Sequence, residues 1–162
     1  MSGREVIMYT DGAASGNPGP GGLGVVLLYG NHRKEIAEGY RNTTNNRMEL
    51  LAVIRGLEAL KREDLKVTIY SDSKYVVDAV NKGWLKSWEA RRFKKKKNPD
   101  LWRRFLELYR QFTLELIWVK GHSNNRENER CDRLAVEASK QPGLPDDEGY
   151  VNGTDDTGIS FS

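Results

Sequence analysis

The sequence predicts an α/β fold with one mixed five-stranded sheet flanked by helices. Five segments alternate apolar and polar residues with the period of two that is typical of strands, and four others repeat apolar residues at helical spacing. Three strand patterns come first, and each of the last two follows a helix. Three antiparallel strands followed by parallel additions fit this order. A chain of 162 residues can bury one core, so one compact domain is expected.

The first three strands are expected at residues 6–11, 23–29 and 34–41. A glycine- and proline-rich run, residues 16–22, separates the first two and is expected to form only a turn. The first strand therefore ends at Asp11.

The rest of the chain alternates helices with two more strands. Thr44 and Asn45 supply capping oxygens for a helix whose apolar residues continue at helical spacing to Leu60. Ser73 opens a short helix directly after the fourth strand. The other elements are expected at residues 66–71 (strand), 101–112 (helix), 114–119 (strand) and 126–140 (helix).

Charge is distributed unevenly along the chain, whose formal net charge is +3. Residues 82–104 carry ten lysines and arginines against two acids, whereas residues 141–162 carry five acids and no base. A basic segment of this kind favours a polyanion such as nucleic acid, although a solvated surface run explains the charge alone equally well.

The sequence also bears on the cellular setting. No apolar run has the length of a membrane span, and the first residues lack the pattern of a signal peptide. The single cysteine, Cys131, leaves no internal disulfide and is expected to serve packing in a reducing compartment. We therefore expect a cytoplasmic protein without membrane contact.

Four acidic residues are expected to meet at one edge of the sheet. Asp11 and Asp72 follow strands that run in the same direction. Glu49 lies early in the first long helix, and Asp132 lies early in the last one. Taken singly, an aspartate after a strand is most often a turn or capping residue. Four carboxylates close together either have raised pKa values or hold a cation, and oxygen-only ligands favour Mg²⁺.

Four of five short motifs contain these acids, and the fifth contains His122. In chain order the motifs read YTDG at 9–12, TTNNRMEL at 43–50, YSDS at 70–73, VKGH at 119–122 and ENERCD at 127–132. Their sequences, order and structural context resemble bacterial type 1 ribonuclease H over residues 4–140. The resemblance implies the ribonuclease H-like fold and an endonuclease that hydrolyses the RNA strand of RNA–DNA hybrids. The products would carry 5′-phosphate and 3′-hydroxyl ends.

The resemblance also implies a metal site and a catalytic histidine. Two Mg²⁺ ions, with Mn²⁺ as a substitute, would be held with substrate by Asp11, Glu49, Asp72 and Asp132. One ion would lower the pKa of the attacking water, and the other would stabilise the leaving 3′ oxygen. His122 would assist proton transfer or product release. Without the motif, a loop histidine is more often an exposed bystander.

Other residues match family positions that contact the hybrid. Asn17, Asn45 and Asn46 correspond to contacts with the RNA strand, whose 2′-hydroxyl an amide can recognise. Thr44 corresponds to a residue that helps hold a DNA-strand phosphate. Turn and capping chemistry is the alternative for the three asparagines. Lys74 stands where the family often has an uncharged side chain, so its role is open, with a phosphate contact as one alternative.

Residues 82–97 resemble the basic protrusion of the family. Trp84 corresponds to a residue that lines a groove for deoxyribose, whereas Trp88 is also well explained as core of a short helix. The lysines expected to contact the nucleic-acid backbone here are Lys94, Lys95, Lys96 and Lys97.

The segment 141–162 departs from the family pattern. Its two prolines, five acids and low apolar content predict a disordered tail after a catalytic domain of residues 1–140. A sharper hypothesis is that Asp146, Asp147 and Glu148 fold back toward the protrusion and compete with nucleic acid.

Two other functions remain open on the sequence. A catalytically silent hybrid-binding module would have no need of four carboxylates, which repel phosphate unless metal is bound. Another nuclease of the same superfamily, such as a junction resolvase or an exonuclease, would not be expected to combine the TTNNRME string with the protrusion. We expect a monomeric enzyme that needs no small-molecule cofactor.

Overall fold

The structure, a computed structural model, describes residues 5–62, 64–121 and 125–151. These residues form a five-stranded sheet of order β3-β2-β1-β4-β5. The strands are β1 (Glu5–Ala14), β2 (Gly19–Tyr29), β3 (His32–Thr43), β4 (Lys66–Ser71) and β5 (Thr113–Trp118). The first three pair antiparallel, whereas β4 is parallel to both β1 and β5. The predicted fold class, a mixed five-stranded sheet, is confirmed.

Helices cover both faces of this sheet. Within the described residues they are α1 (Asn45–Glu58), α2 (Lys74–Asn81), α3 (Trp84–Ala90), α4 (Pro99–Tyr109), α5 (Arg126–Ser139) and α6 (Glu148–Val151). The main core lies on the face covered by α1, and α5 covers the other face over β2. None of these helices is long and apolar enough to span a bilayer.

The main core joins β1, β2, α1 and α4. Met8, Leu23, Ile54 and Trp102 are fully buried within it. Burying a large apolar side chain contributes about 1.5–3 kcal/mol, so this layer accounts for most of the packing energy. The helix α1 begins where expected, because the Thr44 side chain accepts a hydrogen bond from the helix backbone.

The smaller apolar layer lies beneath α5. Cys131 and Leu134 pack there against Val26 of β2. Burial raises the pKa of the Cys131 thiol, so the neutral form persists and the side chain serves packing, as expected.

The structure corrects the turn expected at residues 16–22. The strand β2 begins inside this run, at Gly19. Gly22 and Gly24 of β2 lie directly beneath α5. A Cβ atom at Gly22 would stand 2.1 Å from the carbonyl oxygen of Ala135, and one at Gly24 would stand 2.3 Å from that of Cys131. These glycines therefore permit close packing of a helix on the sheet, a use that composition alone does not separate from turn formation.

The helix α3 is an addition to the expected order of elements. It has seven residues and one fully buried side chain, Leu85, so its apolar pattern is too short to reveal a helical period. Phe93, just beyond it, is also buried, and Trp88 packs against Trp102 with ring centroids 5.6 Å apart. The protrusion is therefore anchored to the core by apolar contacts.

Residues 141–151 are not the disordered extension that composition predicts. The carbonyl oxygen of Pro145 accepts a hydrogen bond of 2.8 Å from the backbone N–H of Arg41, and α6 follows. Asp147 is only 5% exposed. Polar contacts rather than apolar burial hold this segment, which explains why its low apolar content misled the prediction. The rest of the tail, residues 152–162, lies outside the described residues.

The acids of this segment also contact a different surface from the one expected. Asp146 pairs with Arg41 at 2.8 Å. Asp147 accepts hydrogen bonds from Thr43 at 2.6 Å and from Arg47 at 2.7 Å. The fold-back therefore reaches β3 and α1 rather than the protrusion, because a buried arginine provides the stronger partner.

Candidate active site

The edge where parallel strands end brings two aspartates together. Asp11 lies in β1, one residue beyond the last pair that β1 forms with β4, which is Thr10 with Ser71. Asp72 follows Ser71 directly. Parallel register therefore sets both carboxylates at one end of neighbouring strands.

A glycine brings the third carboxylate to the same place. A Cβ atom at Gly12 would stand 2.3 Å from the carbonyl carbon of Met48 and 2.5 Å from the backbone nitrogen of Glu49. The first turn of α1 can therefore approach β1 only because this residue has no side chain. The Gly12 N–H also donates a hydrogen bond of 2.9 Å to Asp11 Oδ1, which fixes that carboxylate.

Three carboxylates form a compact group at this edge. One oxygen from each of Asp11, Glu49 and Asp72 lies within 4.8 Å of the other two. Among the described residues, Glu49 Oε1 and Asp72 Oδ1 are buried acceptors without a hydrogen-bond partner. Asp132, halfway along α5, lines the same cleft and lies close enough to Asp11 to affect its ionisation.

The electrostatics of the group follow from crowding and burial. Burial, and after it the charges of Asp72 and Asp132, raise the pKa of Asp11 to about 8 against the opposing hydrogen bond from Gly12. Burial and the charges of Asp11 and Asp72 likewise raise the pKa of Glu49 well above its usual value. A cation bound between the carboxylates would relieve this repulsion at neutral pH.

The residues present fit a divalent metal ion. The donors are carboxylate oxygens, which suit a hard cation such as Mg²⁺. A cation would also supply the partner that the two buried acceptor oxygens lack. The site can therefore hold metal, and the acids named by the sequence are the ones the fold assembles.

The carboxylates line an open cleft of about 320 Å³. Its walls also include Asn128 and Glu129 of α5, which sequence reasoning passed over. Asn128 is buried, and its Oδ1 has no hydrogen-bond partner among the described residues. The available signal was its spacing, because Asn128 precedes Asp132 by four residues and shares its face of the helix.

Two asparagines at the rim are tied to each other and to the backbone. The Asn17 side-chain oxygen accepts a hydrogen bond of 2.9 Å from the Asn45 N–H, and the Asn45 side-chain oxygen accepts one of 2.6 Å from Ala14. Each amide is thus held in one orientation although both residues are exposed. Asn46, beside them, is also exposed.

A family model described as RNase H matches residues 3–140. The chain belongs to the RNase H family. Ribonuclease H of Syntrophus aciditrophicus (strain SB) is 59% identical over 152 residues, which cover 91% of this chain and 87% of that protein. This family membership makes the chain an enzyme with ribonuclease H activity, as its motifs predict.

Solved RNase H structures share the fold. LC9-RNase H1, a type 1 RNase H with the type 2 active-site motif, matches with a TM-score of 0.77 at 31% identity over 86% of this chain and 74% of that one. LC11-RNase H1 in complex with RNA/DNA hybrid matches with a TM-score of 0.60 at 30% identity over 82% of this chain and 95% of that one. The ribonuclease H-like fold is confirmed.

In this RNase H, the two tryptophans of the protrusion differ in burial. Trp84 is 43% exposed, and the Lys82 ammonium lies 5.4 Å from the centre of its ring. Trp88 is half-buried against Trp102, with Lys96 5.3 Å from its ring centre. Trp88 therefore has the core contacts that a packing role requires, whereas Trp84 presents a face to solvent.

The four lysines of the run differ little in setting. Three are exposed and Lys96 is half-buried beside its tryptophan. The backbone takes positive φ at Arg92, Phe93, Lys95 and Asn98, so the run follows a tight path around buried Phe93. The lysines of this loop project charge, while Phe93 belongs to the core.

Lys74 and His122 are the two remaining candidates that the sequence named. Lys74 is exposed at the start of α2, directly after the Asp72–Ser73 turn. His122 lies outside the described residues, so its expected role stays a prediction.

Proposed function

We propose that this chain hydrolyses the RNA strand of RNA–DNA hybrids as an endonuclease with two Mg²⁺ ions, giving 5′-phosphate and 3′-hydroxyl ends. The observation that carries the proposal is the group of three carboxylate oxygens within 4.8 Å, two of whose acids have raised pKa values. The hybrid bound to LC11-RNase H1, a relative in fold and sequence, supports the choice of substrate.

Asp11, Glu49, Asp72 and Asp132 would hold the metal. When bound, Mg²⁺ activates water as a nucleophile, polarises the phosphate and stabilises the leaving oxygen. The protein contributes a preformed set of ligands, because β1, β4 and α1 fix three of them through backbone packing. Preorganisation of this kind spares the cost of rearranging charges during the reaction.

Substrate recognition would fall to the rim and the protrusion. Asn17 and Asn45, whose amides are held in one orientation, and the exposed Asn46 would contact the RNA 2′-hydroxyls, which distinguish RNA from DNA. Thr44, at the amino end of α1, would help hold a DNA-strand phosphate. The exposed ring of Trp84 would pack on deoxyribose.

The lysines of the protrusion would supply backbone affinity that depends on salt. This group comprises Lys94, Lys95, Lys96 and Lys97. His122 would assist proton transfer or product release at the same cleft.

The test is cleavage of one labelled RNA in three forms: paired with DNA, single-stranded and paired with RNA. We expect Mg²⁺-dependent cutting of the hybrid alone, and a ligation assay should detect 5′-phosphate ends. Asp11→Asn should abolish cutting while hybrid binding persists, because it removes one metal ligand and no nucleic-acid contact.

Each other outcome points to a different function. Salt-sensitive hybrid binding without any cutting would favour a silent binding module. Cutting of branched or single-stranded DNA in preference to the hybrid would favour another nuclease of the superfamily. Near wild-type cutting by Asp11→Asn would refute the metal assignment.

A further inference from the structure

Trp118 is a large aromatic residue exposed beside the carboxylate group. It is the last residue of β5 and is 42% exposed. Because it pairs with Ser71 in the parallel ladder, it lies at the edge of the sheet where Asp72 follows β4. Its indole Nε1 donates a hydrogen bond of 3.1 Å to the backbone carbonyl of Asp72. The side chain therefore touches the backbone of a proposed metal ligand.

Lys74 completes the arrangement. Its ammonium lies 4.7 Å from the centre of the Trp118 ring. The electrostatic attraction between an ammonium and an indole face favours one orientation of the lysine side chain. The ring thus limits where this charge can lie.

The stability of the fold does not explain Lys74. It is the first residue of α2, where the helix dipole disfavours a positive charge. Across the described parts of the chain, no carboxylate lies within ion-pair distance of its ammonium, although Asp72 is only two residues away. An exposed, oriented and unpaired cation beside an acidic metal site is suited to an anionic ligand.

We propose that Lys74 binds a phosphate of the RNA strand adjacent to the one that is cut, and that Trp118 is a positioning residue for both Lys74 and Asp72. This inference rests on the proposed function, since the phosphate belongs to the hybrid. An RNA-strand phosphate fits best because Asp72 would act on the RNA strand and Lys74 lies only two residues after it in the chain. An ammonium binds phosphate as a point charge and reads no base.

The first test measures hybrid affinity in the full-length, non-cutting Asp11→Asn background over a range of KCl concentrations. Lys74→Gln should weaken binding about three- to tenfold at low salt and make the log–log salt slope shallower by about one. Lys74→Arg should restore both quantities, because it keeps the charge.

Lys34→Gln is the matched control. It removes one exposed lysine from β3, near the opposite end of the sheet, and changes the net charge equally. Its affinity and salt slope should match the parent. An identical loss in both variants would overturn the phosphate contact and assign the effect to net charge.

The second test identifies the strand. Single phosphates of the hybrid are replaced by neutral methylphosphonate, first in the RNA and then in the DNA. One RNA-strand replacement next to the scissile phosphate should weaken binding in the parent and have little further effect in Lys74→Gln, since the contact is already lost. Coupling to a DNA-strand phosphate would overturn the assignment to RNA.

The third test separates the two roles of Trp118 by kinetics with the otherwise wild-type enzyme. Lys74→Gln should raise KM and leave kcat nearly unchanged, because a ground-state contact is lost. Trp118→Phe keeps a ring for Lys74 but loses the hydrogen bond to Asp72, so it should lower kcat with little change in KM. Trp118→Leu should show both defects.

The outcomes also separate this inference from the proposed function. A wild-type chain that fails to cut hybrid would overturn the proposed function itself. If the wild type cuts but Trp118→Phe and Trp118→Leu keep wild-type kcat, KM and salt slope, the positioning role is refuted while the proposed function stands.

Discussion

At the scale of single residues, the carboxylate group stores electrostatic repulsion. Burial raises the pKa of both Asp11 and Glu49, the charge of Asp72 raises both further, and the charge of Asp11 adds to the rise at Glu49. A protein without metal must protonate one of them or accept the repulsion. This repulsion lowers the folding stability of the metal-free protein, and the same repulsion favours binding of a cation.

Asp11→Asn should therefore stabilise the metal-free protein at neutral pH. Below about pH 4 the carboxyl is protonated in both the folded and the unfolded chain, so the substitution has little effect there. Between that pH and the folded-state pKa of about 8, the unfolded chain ionises while the folded one stays protonated, which destabilises the wild type. We expect a gain of about 2–4 kcal/mol at pH 7 in EDTA, measured by urea unfolding.

Magnesium should reverse this order. Saturating Mg²⁺ stabilises a folded state that binds it, so the wild type should gain unfolding free energy and Asp11→Asn should gain much less. A metal-free variant less stable than the wild type at neutral pH would contradict the electrostatic account.

Individual residues also mark how far sequence reasoning reaches. The convergence of Asp11 and Asp72 follows from strand direction, which short-range patterns reveal. The contact of Trp118 with Asp72 could not be foreseen, because it depends on parallel register between strands separated by more than forty residues. An exposed aromatic at a strand end carries no signal of its own in the sequence.

At the scale of elements, the segment 141–151 acts as a clasp on β3 and α1. Its central contact is Asp147, which meets the buried guanidinium of Arg47 from one side while Asp100 of α4 meets it from another. One arginine thus joins the C-terminal segment, α1 and α4. The composition of the sequence does not predict this ion pair, because charged residues are usually exposed and only the folded structure shows that these are buried.

Asp147→Asn should destabilise the protein by about 2–3 kcal/mol, because among the described residues it leaves the buried Arg47 with Asp100 as its one ion-pair partner. Asp146→Asn is the matched control. Asp146 pairs with the exposed Arg41, so its loss should cost less than about 1 kcal/mol. Urea unfolding at neutral pH measures both, and equal effects would contradict the special role of Asp147.

The clasp also changes the expectation for truncation after Lys140. Removal of the clasp should lower unfolding free energy, because Arg47 and Thr43 lose their buried partner. Truncation would tighten hybrid binding if these acids competed with nucleic acid at the protrusion, but Asp146 and Asp147 contact β3 and α1 instead.

At the scale of the whole molecule, the fold and the edge that bears the site could be predicted from strand and helix periodicity. The close approach of α5 to β2 could not be predicted from the sequence. Glycines in a strand indicate such an approach only when the position of the helix above them is known. The sequence did not predict the short helix α3 for a related reason. Tertiary contacts of Trp88 and the neighbouring Phe93 hold this segment in place, and its own apolar periodicity is weak.

Gly24→Ala should test this packing. The new methyl group would stand 2.3 Å from the Cys131 carbonyl oxygen, so α5 must shift, and we expect a loss of about 1–3 kcal/mol. Gly30→Ala is the control, because its Cβ meets nothing within 4 Å although φ is +58°. Calorimetric titration should show weaker Mg²⁺ binding for Gly24→Ala alone. Unchanged metal affinity would indicate that Asp132 tolerates movement of its helix.

The seam of glycines beneath α5 gives the cleft a mechanical property. Three of its acids stand on the sheet and α1, while Asp132 stands on the helix across the seam. The distance between α5 and β2 is set by direct backbone contact, because Gly22 and Gly24 have no side chain that could change conformation. The distance between Asp132 and the other three acids is therefore fixed while α5 stays packed on β2, and it should increase when α5 moves away from the sheet. A fall in Mg²⁺ affinity should therefore indicate local detachment of α5 before the chain unfolds as a whole.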